Sequence, residues 1–179
     1  FVFSAPYGYA ATLAWLEEVG KILGQEPDVK MCARLRLKAQ NTASLKMYAM
    51  MMGRKKTPQA AVIGEYDLVK GLGTFLRSVG IDVKYKLCSH SLKSIVEPEL
   101  DIQYISVEKE KIDILKNLQK TLVLADDVSY RLCDSSNVVL RVSAPFIDGA
   151  QIATHLPLLG EKGTDFLLET IEEYYQTLA

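Results

Sequence analysis

No stretch of these 179 residues stays apolar for the roughly 18 to 20 positions that a membrane-spanning helix requires. An excess of one charge is missing too. The 21 basic residues are matched by 22 acidic ones and interspersed with them, which leaves no electrostatic footprint for nucleic acid or an anionic membrane. The nearest basic run, Arg54-Lys55-Lys56, falls where a helix should end and reads as a solvated helix C-terminus. Cysteine is scarce and odd in number: Cys32, Cys88 and Cys133 lie far apart, with no secretory signal before them, so a reduced, cytoplasmic protein is expected. Histidine is limited to His90 and His155, and no Ser, Cys or His has a nucleophile context such as Gly-x-Ser-x-Gly. Repeats, low-complexity tracts and flexible linkers are absent. The opening Phe1-Val2-Phe3 carries no initiator methionine, which reads as the middle of a longer polypeptide.

What is present is an apolar fraction of 49%, enough for one well-buried domain with a helical extension. The organising stretch is Gln59 to Leu87. It reads as an apolar strand (Ala60 to Ile63), a turn at Gly64-Glu65-Tyr66, a helix over about 67–79, a glycine stop at Gly80 and a second strand (Ile81 to Leu87). In the helix, Leu68, Val69, Leu72, Phe75, Leu76 and Val79 recur at the spacing that gathers apolar side chains on one face. Asp67 is expected to accept from the unpaired amides of the first turn, and Gly80 to adopt the left-handed conformation that ends the last.

Before this unit, Phe1 to Phe3 suggests a short strand and Tyr7-Gly8-Tyr9 a turn. A helix over about 10–23 follows, stopped by Gly24 and flanked by Trp15 as a packing residue. A long helix over about 28–52 has a weak apolar face of small residues, suited to crossing between layers or leaning on another chain; Met50-Met51-Met52 reads as its end tucked into the core, with an adaptable binding surface as the alternative. After the unit, Asp101 to Val107 alternates like a strand with one solvent face, Glu108 to Gln119 has helical spacing, and Leu122-Val123-Leu124 is a buried strand. A short helix over about 128–132, a strand over about 138–142 and a last helix opened by Gly160 or Thr164 complete the series. The expected fold class is α/β: a Rossmann-like parallel sheet of about four to five strands flanked by helices and preceded by a helical segment. The organisational break places a helical segment at 1–57 and the α/β domain at 58–179.

In such a sheet ligands lie outside the carboxyl ends of the strands. The residues delivered there are Gly64 to Tyr66, Cys88 to His90, Ser106 to Glu108, Asp126 and Asp127, and Ser143 to Phe146; Gly64, Glu65, Cys88, His90 and Asp126 are the candidates for a cofactor crevice. The turn is neither a dinucleotide fingerprint nor a phosphate loop, and Glu65 at a helix N-terminus would repel a pyrophosphate. Cys88-x-His90 supplies two of the four ligands of a structural zinc, and Asp126 or Asp127 could complete a metal site; the plainer reading has Asp126 capping the next helix.

The sequence Ala61-Val62-Ile63-Gly64-Glu65-Tyr66-Asp67-Leu68-Val69-Lys70-Gly71-Leu72, with Phe75-Leu76 and Val79-Gly80-Ile81-Asp82-Val83, resembles the strand, Gly-Asp-Pro-Asp turn and helix of the nitrogenase component 1 family. Pro6-Tyr7-Gly8, with the helix ending at Leu23-Gly24, is similar to the segment those proteins place before that unit. Leu158-Leu159-Gly160-Glu161-Lys162-Gly163 resembles the Leu-Gly-Tyr-Glu-Gly stretch that introduces their last helix. The resemblance implies a carboxy-terminal fragment of an oxidoreductase component, built as paired homologous subunits and served by an ATP-dependent iron-sulfur reductase. It also implies that the cluster-ligating cysteines precede the segment aligned with Phe1. The family's cofactor-ligating histidine aligns with Leu159, and its Gly-Gly-x-Arg loop with Gly64-Glu65-Tyr66-Asp67. The expected role is therefore structure and subunit contact, with no cofactor in this fragment and an iron-sulfur or metallocofactor only in the full complex. The alternatives are a small-ligand module, for a tetrapyrrole or metal, in the strand-end crevice, or a metal-dependent enzyme using His90 with Asp126-Asp127.

Overall fold

The computed structural model describes residues 5–51, 57–88, 101–143 and 158–178, without the side chains of 43 and 45–51. The expected strand at Phe1 to Phe3, the Arg54-Lys55-Lys56 run, the methionine cluster's side chains, His90 and His155 lie outside that description.

The elements are α1 (Tyr9–Leu23), α2 (Val29–Met51), β1 (Gln59–Gly64), α3 (Tyr66–Ser78), β2 (Asp82–Cys88), β3 (Gln103–Tyr104), α4 (Glu108–Asn117), β4 (Leu122–Ala125), α5 (Asp127–Leu132), β5 (Val138–Arg141) and α6 (Gly160–Leu178). The five strands form one sheet in the order β3-β2-β1-β4-β5, and every pairing is parallel. Alternate residues of the central strands are buried on opposite faces, so these strands read as unbroken apolar runs. Ala60, Val62, Leu122 and Leu124 pack with α3 and α6, while Ala61, Ile63, Val123 and Ala125 pack with Leu115 of α4.

Two local expectations are corrected. Asp67 does not cap α3: the helix begins one residue earlier, Glu65 is its N-cap without a side-chain cap bond, and Asp67 sits inside the first turn, where its charge favours the helix dipole. The strand expected over Asp101 to Val107 pairs only at Gln103–Tyr104, because it lies at the sheet edge and meets only the last residues of β2. Asp101 is instead held by Arg77 at 2.7 Å and by the buried Lys86 at 3.0 Å.

α1 ends as the sequence suggests. Gly24 takes φ 65°, and the amides of Gly24 and Gln25 donate to the carbonyls of Lys21 and Gly20. α2 buries only Leu35 completely among its described side chains and is tied to α6 by charge. Arg34 contacts Glu161 at 2.7 Å, and Lys38 contacts Glu161 at 3.0 Å and Asp165 at 2.8 Å. The Tyr9 hydroxyl donates to Asp165 as well. Burial pushes both carboxyls up, but the hydrogen bonds from Arg34 and Lys38 to Glu161, and from Lys38 and Tyr9 to Asp165, outweigh it and hold both below their ordinary range. Groups with depressed folded pKa values stabilise above their unfolded values, and that contribution is lost as pH falls through the folded ones. Acidification from about pH 5 to about pH 3 is expected to loosen α1 and α2 from α6. Trp15 of α1 is the chain's single tryptophan, so its emission checks this: the change seen on acidification should already be present at neutral pH in Glu161→Gln/Asp165→Asn.

Tyr66, at the start of α3, is 5% exposed, and its hydroxyl finds no hydrogen-bond partner. A buried orphan hydroxyl costs free energy. Tyr66→Phe is therefore expected to raise stability by about 1 kcal/mol in urea unfolding.

Candidate functional site

The strand order places β1 and β4 side by side although their outgoing connections lead to opposite faces: α3 packs on one and α4 and α5 lie toward the other. This is the topological switch point at which open α/β sheets form a crevice. A cavity of about 100 Å³ occupies it, lined by Gly64, Cys88 and Asp126 from the strand ends together with Glu65, Ser143 and the first two turns of α4. Four of the five sequence candidates thus share one crevice; His90, the fifth, is outside the described residues.

Each wall has a local cause. At Gly64 an added Cβ would lie 3.3 Å from Ser143 Cβ and 3.2 Å from Leu68 Cδ2, so a residue without a side chain lets β5's continuation approach β1. The Ser143 hydroxyl donates to the Ile63 carbonyl at 3.4 Å. Cys88, the last residue of β2, is 1% exposed. Asp126 caps α5: its Oδ1 accepts from the Ser129 amide at 2.7 Å and its Oδ2 from the Ser129 hydroxyl at 3.0 Å. Asp127 turns to Arg141 at 2.9 Å and is not among the crevice residues, so the two aspartates serve separate partners.

Sequence reasoning missed Lys111. It stands one turn into α4, its ammonium 2.9 Å from Glu108 Oε1 and 3.9 Å from Asp126 Oδ2. The signal was available as the three-residue spacing from Glu108, which puts the two side chains on one helix face. Among the described lining residues, Glu65, Glu108 and Asp126 outnumber the Lys111 ammonium, an acidic balance unsuited to a pyrophosphate.

Among the described residues, the hydroxyl seen beside a crevice carboxylate, Ser129 on Asp126, is wholly buried. The Cys133 thiol donates to the Ser129 carbonyl at 3.3 Å, and burial, with the nearby Asp126 charge, pushes it up to about 11. Such a thiol is unreactive at neutral pH. Among the described residues, no group of three or more His, Cys, Asp or Glu side chains is placed to hold a metal ion, and no helix is long and apolar enough to cross a membrane.

Asp126→Ala is expected to cost about 1 kcal/mol of stability, and Asp126→Asn much less, since asparagine also caps. Urea unfolding of the two variants measures this; equal losses would show that charge, not capping, is what Asp126 contributes.

The comparisons with known proteins agree with this architecture. A solved structure described as "Nitrogenase Cp1 at pH 6.5" superposes with a TM-score of 0.65 at 15% identity, covering 96% of this chain and 38% of that one. The chain therefore spans well under half the length of that relative, and the likeness speaks for the fold. No curated protein matches the sequence. The family model for nitrogenase component 1 type oxidoreductases matches residues 1–175. By that match over nearly its whole length, the chain belongs to the nitrogenase component 1 type oxidoreductases.

Proposed function

We propose that this chain is the carboxy-terminal domain of a nitrogenase-like oxidoreductase component, contributing structure and subunit contacts without metallocluster ligands of its own. The observation that carries the reading is the state of the crevice donors. Asp126 is engaged by Ser129, Glu108 by Lys111, and Cys88 is the single thiol, almost wholly buried. Leu159, immediately before Gly160, stands where the family resemblance expects a ligating histidine and offers no donor. These residues do not fit a metallocluster. In the parent assembly, the proposal gives the chain a homologous component 1 subunit as neighbour and an ATP-dependent iron-sulfur reductase as electron donor, in the cytoplasm.

Iron and acid-labile sulfide assays on the purified chain, after reconstitution with both, test the reading. The expected result is far less than one cluster per chain. Stoichiometric cluster would overturn it. The alternative, a tetrapyrrole or metal module in the same crevice, is favoured by the convergence of the β1, β2 and β4 ends there, and a thermal-shift screen distinguishes it. A ligand at a hundred times its dissociation constant should add about 2.7 kcal/mol of stability.

A further inference from the structure

A second cavity, of about 230 Å³, lies between the start of α1, the middle of α2 and the C-terminal half of α3. Three aromatic rings form its rigid walls, and glycines seat two of them. A Cβ at Gly71 would fall 2.3 Å from the Tyr7 ring, and one at Gly8 would fall 2.7 Å from Phe75. Tyr9 is anchored by Asp165. Ala10, Ala11 and Ala39 supply the remaining apolar surface and are too short to fill the space.

Among the described lining residues, three aliphatic hydroxyls are turned back to their own helices. Thr42 donates to the Lys38 carbonyl at 2.8 Å, Thr74 to the Lys70 carbonyl at 2.9 Å and Ser78 to the Phe75 carbonyl at 2.6 Å. Lys38, whose ammonium stands 5.1 Å over the Tyr9 ring, is held by Glu161 and Asp165. A charged guest would lose hydration and, among the described lining side chains, meet no uncommitted charge of opposite sign. An apolar guest gains contact on several sides, and a dry cavity of about 150 Å³ is already enough to hold benzene.

We propose that this cavity is a binding site for a compact, uncharged, apolar molecule about the size of one or two fused aromatic rings. Ala10 and Ala11 are exposed, so the site opens to solvent and fills without unfolding. A guest there touches α1, α2 and α3 together and adds apolar contact beside the ion pairs that join α2 to α6. It thereby couples the helical pair to the α/β body.

The test is a titration of the full chain, carrying ¹³C-methyl alanine, with indole and with toluene. The methyl resonances of Ala10, Ala11 and Ala39 should shift saturably while those of Ala60, Ala61 and Ala125 in the sheet stay in place. Benzoate, a ring of similar size with a charge, should shift none. Ala39→Leu, which fills the space, should lose the response; its sheet alanine resonances report that it remains folded. Thr42→Val, which keeps the volume and removes a hydroxyl already turned to its own helix, should retain it. No shift at the solubility limit of either probe, an equal response to benzoate, or a response unchanged in Ala39→Leu would overturn the proposal.

Discussion

Tyr174→Ala is expected to lower stability by about 4 kcal/mol, the largest effect of any single side chain considered, because it removes a wholly buried ring and a hydroxyl at once. Tyr174 lies on α6 with no exposed surface. Its hydroxyl accepts from the Gln59 amide at 3.0 Å and directs its proton toward the carbonyls of Gln59 at 3.0 Å and Lys120 at 2.9 Å. One side chain thus pins the last helix to the start of β1 and to the turn that feeds β4. Lys120 has φ 51°, a left-handed conformation uncommon for a residue with a side chain, and the Tyr174 bond is part of what holds it there. Tyr174→Phe separates the two contributions: packing stays, the buried amide and carbonyls lose a partner, and the loss should be about 2 kcal/mol. Urea unfolding followed by circular dichroism measures both. If the Phe variant matches the parent, the hydroxyl pins nothing.

The second large effect is expected at Gly163, in the first turn of α6. In an ordinary helix, Gly→Ala gains up to about 1 kcal/mol. Here the added Cβ would lie 2.2 Å from the carbonyl carbon of Leu158 and 2.6 Å from its oxygen, and these are backbone atoms that cannot swing aside. Leu158 is itself part of the core, at 4% exposure. Gly163→Ala is therefore expected to cost roughly 3 kcal/mol, with the sign opposite to helix propensity. The displacement also reaches Glu161 and Asp165, so Trp15 emission should change together with the thermal midpoint. A midpoint above that of the parent would mean that the chain before α6 moves freely.

Much of this architecture is legible in the order of residues. The run Ala60 to Ile63, the three-and-four spacing from Leu68 to Val79 and the apolar Leu122 to Leu124 each announce their element, because burial on both sheet faces demands unbroken apolar strands and burial on one helix face demands a stripe. Gly24 marks its helix end for a local reason, the freedom of φ. The short pairing of β3 was not legible. Its alternation reads like a full strand, but the length of a ladder depends on how far the neighbouring strand runs beside it. Asp67 misled for a related reason: a good capping residue caps only if the helix starts beside it, and Glu65 stands at the start.

The site divides in the same way. Gly64, Glu65, Cys88 and Asp126 were found from position alone, since strand ends at a switch point must share a crevice. Lys111 was not, because its approach to Asp126 depends on where α4 is laid against the sheet. The cavity bounded by α1, α2 and α3 has no sequence signature either; it arises from short side chains on separate helices meeting one another. Local chemistry, periodicity and turn residues were enough to determine the α/β class and the resemblance to a family. Only tertiary packing decided which carboxylates are already engaged, which thiol is closed off and where space is left, because each of these is a relation between residues far apart in the chain.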